Sequence, residues 1–227
     1  MVIDSLKLFF DSVSLFMKIR GICTKLFNQF HQPHFGMSAN MDVTAFVPLV
    51  KERGYSLTTT VVYVIARAAN AVPGFRLRIR EGQVVEHDVV HPSFTVLVEG
   101  DIFGFCSVEY STDYHEFAAR AVEARARLHG GRYLAVDLMG GELRDDLMYM
   151  SPIPWVSFTS FMHPMPFQPP DSIPRFAWGK IFEEGGALKM PLAAQGHHAL
   201  MDGIHMGQFY ERVQDCLRWP EAICEKA

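Results

Sequence analysis

Cysteine is scarce, and the four that occur, Cys23, Cys106, Cys216 and Cys224, never form a CxxC pair. That excludes a zinc ribbon or a thioredoxin-type redox centre, and the four read as reduced, mostly structural thiols of a cytoplasmic protein. Basic charge is not in excess either: 21 Lys and Arg stand against 25 Asp and Glu, a net charge of -4. No long basic run is present, so the footprint of a nucleic-acid-binding protein is missing. The densest basic group, Arg76, Arg78 and Arg80, alternates with Leu77 and Ile79 and predicts a solvated strand face. No GxSxG elbow supplies an activated serine, and no HExxH supplies a zinc site. The most apolar stretch, MVIDSLKLFFDSVSLFMKIRG, is interrupted by Asp4 and Asp11, and no small-residue cleavage site follows. It reads as neither a signal peptide nor a membrane anchor. Leu6, Phe9, Phe10, Val13, Phe16 and Met17 recur instead at helical spacing and predict an amphipathic helix packed on the domain or on a partner.

What is present is a chain of 227 residues, 49% hydrophobic and 20% charged, ordinary for a well-buried globular fold. Without repeats or linkers, residues 1–227 read as a single domain, with an atypical helical segment over 1–30. HFGMSANMDVT alternates as a strand, and TAFVPLVKERG predicts a short helix ending at Gly54. SLTTTVVYVIARAANAVPG predicts a longer helix stopped by Pro73-Gly74. FRLRIREGQVVEHDVVHPSFTVLVEG and IFGFCSVEYS read as strands, with a turn at Glu81-Gly82. DYHEFAARAVEARARLHGG is a helix with Phe117, Ala121 and Ala124 on one side and Gly130-Gly131 at its end. After the strand DDLMYMSPI and a proline-dense loop comes a hairpin around Gly185-Gly186. GIHMGQFYERVQDCL then closes the chain as a helix presenting Ile204, Phe209, Val213 and Leu217. Helices and strands mix without strict alternation. The expected fold is therefore α/β in the broad sense, an α+β two-layer sandwich whose mixed, largely antiparallel sheet is covered by helices.

Chemistry concentrates in GHHALMDGIHMGQFYERV, residues 196–213. A strand ending here puts His197 and His198 on opposite sides, one toward a cleft and one toward the core. Asp202 stands at the entry to the last helix, where it can cap backbone N–H groups or pair with a cation, and Gly203 permits a tight turn. Three readings compete: a metal held by His198, Asp202 and His205; a capped helix with satisfied histidines; and one histidine as general base. The corner separating the candidate ligands weakens the first. Adjacent histidines followed by Asp-Gly weaken the second.

His197-His198-Ala199-Leu200-Met201-Asp202-Gly203 resembles the HHxxxDG signature of the chloramphenicol acetyltransferase family and its CoA-dependent acyltransferase relatives. Four further segments follow the family's order: Asp42–Phe46 (its LDITAF), Val90–Val96 (VHPxxTV), Pro154–Phe161 (PWVSFTSF) and Met190–Leu192 (MPL). The resemblance runs from about Pro33 to Gln214. It implies a homotrimer with active sites between subunits, acetyl-CoA as cosubstrate, and no tightly bound cofactor, metal, nucleic acid or membrane partner. By position His198 is the base that takes a proton from an acceptor hydroxyl, its other ring N–H held by its own backbone carbonyl. Ser151 falls where a serine stabilises the tetrahedral oxyanion, an effect on the order of 3 kcal/mol. Asp202 is architectural, pairing with a first-helix arginine that ungapped counting places at Arg20, while His197 is structural.

The resemblance places Phe27, Phe103, Phe161, His163, Arg175 and Ala177 in the acceptor pocket, and Trp155 and Lys180 on the CoA side. This chain departs from the family pattern at several of these positions. The first-helix WxRxxHFxxF is represented by Lys18, Arg20, Cys23, Thr24 and Phe27. Phe27 replaces a frequent tyrosine, Ala177 a threonine, and His163 and Arg175 replace apolar residues. A lysine near Ser56 and an aromatic at Ile181 are absent. The expected activity is acetyl transfer from acetyl-CoA to chloramphenicol, an antibiotic inactivation. The alternatives are another small hydroxyl acceptor, or a catalytically silent trimeric binding module.

Overall fold

The computed structural model describes residues 19–27, 29–98, 101–129, 144–166 and 171–224. The apolar positions from Leu6 to Met17 and the glycines 130–131 lie outside them. Helix α1 (19–27) leads into β1 (His34–Asp42), α2 (Phe46–Glu52), α3 (Leu57–Asn70) and the single turn α4 (Pro73–Arg76). There follow β2 (Leu77–Arg80), β3 (Gln83–Glu86), β4 (His91–Leu97), β5 (Phe103–Ser107), α5 (Tyr114–His129) and β6 (Leu147–Ile153). The chain closes with β7 (Arg175–Gly179), β8 (Phe182–Glu184), β9 (Ala187–His197), α6 (Gly203–Arg218) and α7 (Glu221–Cys224).

Seven strands form the main sheet in the order β1-β9-β7-β6-β4-β5, with β8 added beside β9. The pairs β1–β9, β9–β7, β8–β9 and β4–β5 are antiparallel, and only β4–β6 and β6–β7 are parallel. The architecture is the expected mixed, mostly antiparallel sheet with helices. Phe94, Cys106, Met148, Met150, Phe176, Leu192 and Ala194 belong to the buried core on one face of the sheet, together with residues of α3, α5 and α6. The period of two sends their neighbours Ser93, Tyr149, Ser151, Arg175, Gln195 and His197 to the other face, so that face is polar.

Helix α3 is rich in β-branched residues, yet ten of its fourteen are buried, so tertiary packing overrides weak propensity. Its start is capped by Ser56, whose hydroxyl accepts the Thr59 N–H at 3.4 Å. Pro73, expected to stop this helix, also opens α4 as its first residue. The last helix, α6, buries Met206, Phe209, Val213 and Leu217 on one stripe, with Phe209 packed 5.0 Å from Phe75 and 5.1 Å from Phe176. Ile204, expected on that stripe, is 66% exposed; two residues before Met206, it points to the opposite side of the helix.

The basic group on β2 departs from expectation. Arg80 is solvated, and Arg76 pairs with Glu86 at 2.6 Å, but Arg78 is fully buried. Its guanidinium donates to the carbonyls of Phe75, Leu77, Asp145 and Leu147, satisfying backbone that would otherwise be orphaned between β2 and β6. Burial lowers its pKa to about 10, still far above neutrality, so the cation stays charged.

Candidate active site

Strand β9 ends at His197, paired with His34 on β1, and the chain turns through residues 198–202 into α6. The tight element of this corner is Gly196, where any Cβ would run into the Met201 side chain. Gly203, expected to make the turn, needs no glycine on these grounds. It has no positive φ, and a Cβ there would only touch Met37 at 3.7 Å. The His197 ring is fully buried, accepts the Ala199 N–H at Nδ1 (3.2 Å), and stands edge-on to His34 at 5.2 Å. Burial first, and then the neighbouring His34, depress its pKa to about 4 and keep it neutral.

His198 turns the other way. Its backbone N–H donates to the Pro33 carbonyl at 2.8 Å, which hangs the corner on the start of β1. The ring lies between two aromatics, stacked on Phe27 at 4.5 Å with 9° between planes and tilted on Phe35 at 4.4 Å. Its Nδ1 is 3.4 Å from Asp202 Oδ1, within ion-pair range, yet it makes no hydrogen bond among the described residues. The expected bond to its own carbonyl is therefore not formed; the Asp202 carboxylate occupies that side of the ring. Asp202 in turn accepts from Arg20 Nη2 at 2.5 Å. That hydrogen bond is the main reason its carboxyl titrates below the ordinary range. Arg20 is buried on α1, where Thr24 also ties its hydroxyl to the Arg20 carbonyl at 2.8 Å. His205 accepts the Asp202 N–H at Nδ1 (2.9 Å), so this lone pair is engaged with the backbone.

A second cluster forms around Ser151 on β6. Ser151 faces the fully buried Ala177 across the β6–β7 register. Its Oγ lies 3.2 Å from His163 Nε2, and Phe161 meets the His163 ring edge-on at 4.8 Å. The link to β9 is Gln195, which the sequence reading did not single out. Its Oε1 accepts the His163 backbone N–H at 2.6 Å and lies 3.1 Å from His163 Nδ1. Gly36 opposite makes room for it, since a Cβ there would strike the Gln195 Cγ. Burial pushes the His163 pKa down to about 4, so its imidazole is neutral around pH 7.

Arg175 is brought to the same face, but its charge is already engaged. Nη2 binds Asp171 at 2.6 Å, and the guanidinium lies 5.3 Å over the Tyr149 ring. It thus helps hold the 171–175 strand entry rather than standing ready for a polar acceptor. Phe103 is 55% exposed on β5, two strands from Ser151. Trp155 and Lys180 are both exposed, on backbone segments fastened together by Lys180 N–H to Val156 carbonyl (2.9 Å) and Ser157 Oγ to Lys180 carbonyl (2.8 Å).

The chloramphenicol acetyltransferase family model matches residues 9–214. The chain belongs to the chloramphenicol acetyltransferase family. It is an acyltransferase, 32% identical over 216 residues to a chloramphenicol acetyltransferase of Klebsiella sp, a match covering 89% of this chain and 97% of that relative. Among solved structures it is similar to a chloramphenicol acetyltransferase at 26% identity and TM-score 0.79, covering 87% and 94% of the two chains. A dihydrolipoamide acetyltransferase of Azotobacter vinelandii shares the fold, at 22% identity and TM-score 0.61 over 85% and 84%.

Against this family background one distance stands out. Ser151 aligns with Ala177, and Ala177 with Ala193, while His198 follows Ala193 by five residues along β9 and its turn. Two interstrand steps and five residues of rise separate the Ser151 and His198 backbones of one chain by roughly 15–20 Å. Ser151 and His198 therefore stand well apart in one chain, on β6 and just past the end of β9.

Proposed function

We propose that the chain transfers the acetyl group of acetyl-CoA to a hydroxyl of chloramphenicol, inactivating the antibiotic, with His198 as general base. Supporting this is the setting of His198. A half-exposed imidazole is clamped between Phe27 and Phe35 at the end of the strand, with Asp202 and Arg20 fixing the corner behind it. In its neutral form the imidazole accepts the acceptor's hydroxyl proton as the oxygen attacks the thioester carbonyl. The proton then passes to the departing CoA thiolate, so no acyl-enzyme is needed. The Ser151 hydroxyl donates to the oxyanion of the tetrahedral intermediate, a contribution on the order of 3 kcal/mol in comparable sites.

The in-chain separation supports a site completed between copies, Ser151 of one chain meeting His198 of the next, and hence the homotrimer. The edge of β1 supports it too: Gly36 to Asn40 are exposed on a strand that, among the described residues, pairs only with β9, with Met37 43% exposed. On this reading Phe27, Phe103, Phe161, His163 and Ala177 line the acceptor side, while Trp155 and Lys180 meet CoA. The compartment is the cytoplasm, where CoA thioesters are available; among the described residues no helix is long and apolar enough to cross a membrane. A different small hydroxyl acceptor is the second reading, favoured by the polar His163 in an otherwise aromatic wall.

The test mixes protein, acetyl-CoA and chloramphenicol and follows thiol release with a chromogenic reagent. Release that requires chloramphenicol and vanishes in His198→Ala is the expected result. Ser151→Ala should lower kcat by about 10²- to 10³-fold with little change in KM. CoA binding without chloramphenicol-dependent release would transfer the assignment to another acceptor.

A further inference from the structure

We propose that Ser151, His163 and Gln195 form a second reactive centre that takes up acyl groups from small activated esters onto the Ser151 oxygen, independently of His198. The protonation pattern follows from the hydrogen bonds. Gln195 Oε1 accepts a backbone N–H, so its oxygen, and not its amide nitrogen, faces the His163 ring. The ring nitrogen beside it, Nδ1, must then carry the proton and donate to the same oxygen at 3.1 Å. That leaves the Nε2 lone pair free to accept the Ser151 hydroxyl at 3.2 Å. A nucleophile bonded to a base, and a base oriented by a third group, is the arrangement that activates a serine.

The three groups come from β6, the following loop and β9 of one chain, so no second copy is required. Ser151 and His163 are both only partly buried. In the reaction, Ser151 Oγ attacks the ester carbonyl while its proton moves to His163 Nε2. The carbon–oxygen bond to the leaving group breaks, its oxygen takes the electron pair and the proton from Nε2 to depart as the alcohol or phenol, and an acyl-serine remains beside a neutral His163. In a slower second step, which lets the acyl-serine accumulate, water attacks the acyl carbonyl, gives a proton to Nε2, and releases the carboxylic acid as Ser151 recovers its proton from Nε2. The depressed basicity of His163 makes this base weak but leaves it unprotonated across the neutral range, so the rate should be flat between pH 6 and 8.

The experiment incubates the wild-type protein with p-nitrophenyl acetate, without CoA or chloramphenicol, and maps acetylated peptides by mass spectrometry. The proposal expects one acetyl group per chain on Ser151 and none in Ser151→Ala. His163→Leu, which restores an apolar side chain, should lower the labelling rate at least tenfold. Acetyl found on His198 or lysines instead, no labelling, or an unchanged rate in His163→Leu would each overturn it. Because neither acetyl-CoA nor an acceptor is present, failure here is distinct from failure of acetyl transfer. Unaltered thiol release in the acetyl-CoA assay would identify such a case.

Discussion

Arg20 and Asp202, 182 residues apart, meet at 2.5 Å, and this bond ties α1 to the corner that carries His198. The same carboxylate lies 3.4 Å from His198 Nδ1. Arg20 therefore acts on the imidazole at one remove: it holds the carboxylate that sets where the ring can sit. Phe27, one helical segment further along, stacks on that ring and shares its anchoring.

Removing either partner should cost activity through misplacement of His198. Arg20→Gln and Asp202→Asn are each expected to lower kcat about 100-fold, since a 1 Å displacement of a catalytic group has effects of that size. The double variant should be little worse than either single one, because both lose the same contact. A double-mutant cycle in kcat and in melting temperature measures this coupling.

His163→Leu is expected to act in the opposite direction on acetyl transfer. With no Nε2 to accept it, the Ser151 hydroxyl is free to donate to the oxyanion. Release of a bond worth about 1 kcal/mol corresponds to roughly a fivefold gain in kcat. Steady-state kinetics with acetyl-CoA and chloramphenicol check it.

Stability should fall on acidification. His163 and His197 titrate near 4 in the folded chain but at 6.5 when unconstrained, so between these values unfolding takes up protons that folding excludes. The lowered imidazole pKa values mean stability is full above about pH 6.5 and is lost as pH falls toward 4. Thermal melts at fixed protein concentration from pH 8 to 4.5 should show a constant midpoint, then a steady decline. His163→Leu should shallow that decline.

Arg78→Met should be costly although the residue lies far from the site. Four backbone carbonyls lose their donor, and the expected destabilisation is about 3 kcal/mol in a urea titration.

How far the molecule was readable from its sequence differs between these features. Phe209, Val213 and Leu217 showed their burial through helical spacing, and the glycines at 185–186 their hairpin, because both signals are local. Arg78 did not: on a four-residue strand, alternation with Leu77 and Ile79 looks the same whether the charge meets water or carbonyls from a distant segment. The Ser151–His163–Gln195 chain of contacts was equally hidden. Its members lie 12 and 32 residues apart, and only the order of β6, β7 and β9 brings them together. Arg20 is legible only through the family pattern, since nothing in its neighbours points to Asp202, 182 residues away. The opposite settings of His197 and His198 were legible because adjacent histidines at a strand's end point to opposite sides.

A shared site requires His198 and Ser151 of different copies to act on one carbonyl, and mixed assemblies test that most directly. His198→Ala and Ser151→Ala chains, each nearly inactive alone, would be unfolded together in equal amounts, refolded, and assayed for chloramphenicol-dependent thiol release. Random assembly pairs an intact His198 with an intact Ser151 at about one site in four, so the mixture should recover roughly a quarter of the activity of wild-type protein refolded in parallel. A mixture no more active than its two components, beside a fully recovered wild-type control, would contradict the shared site.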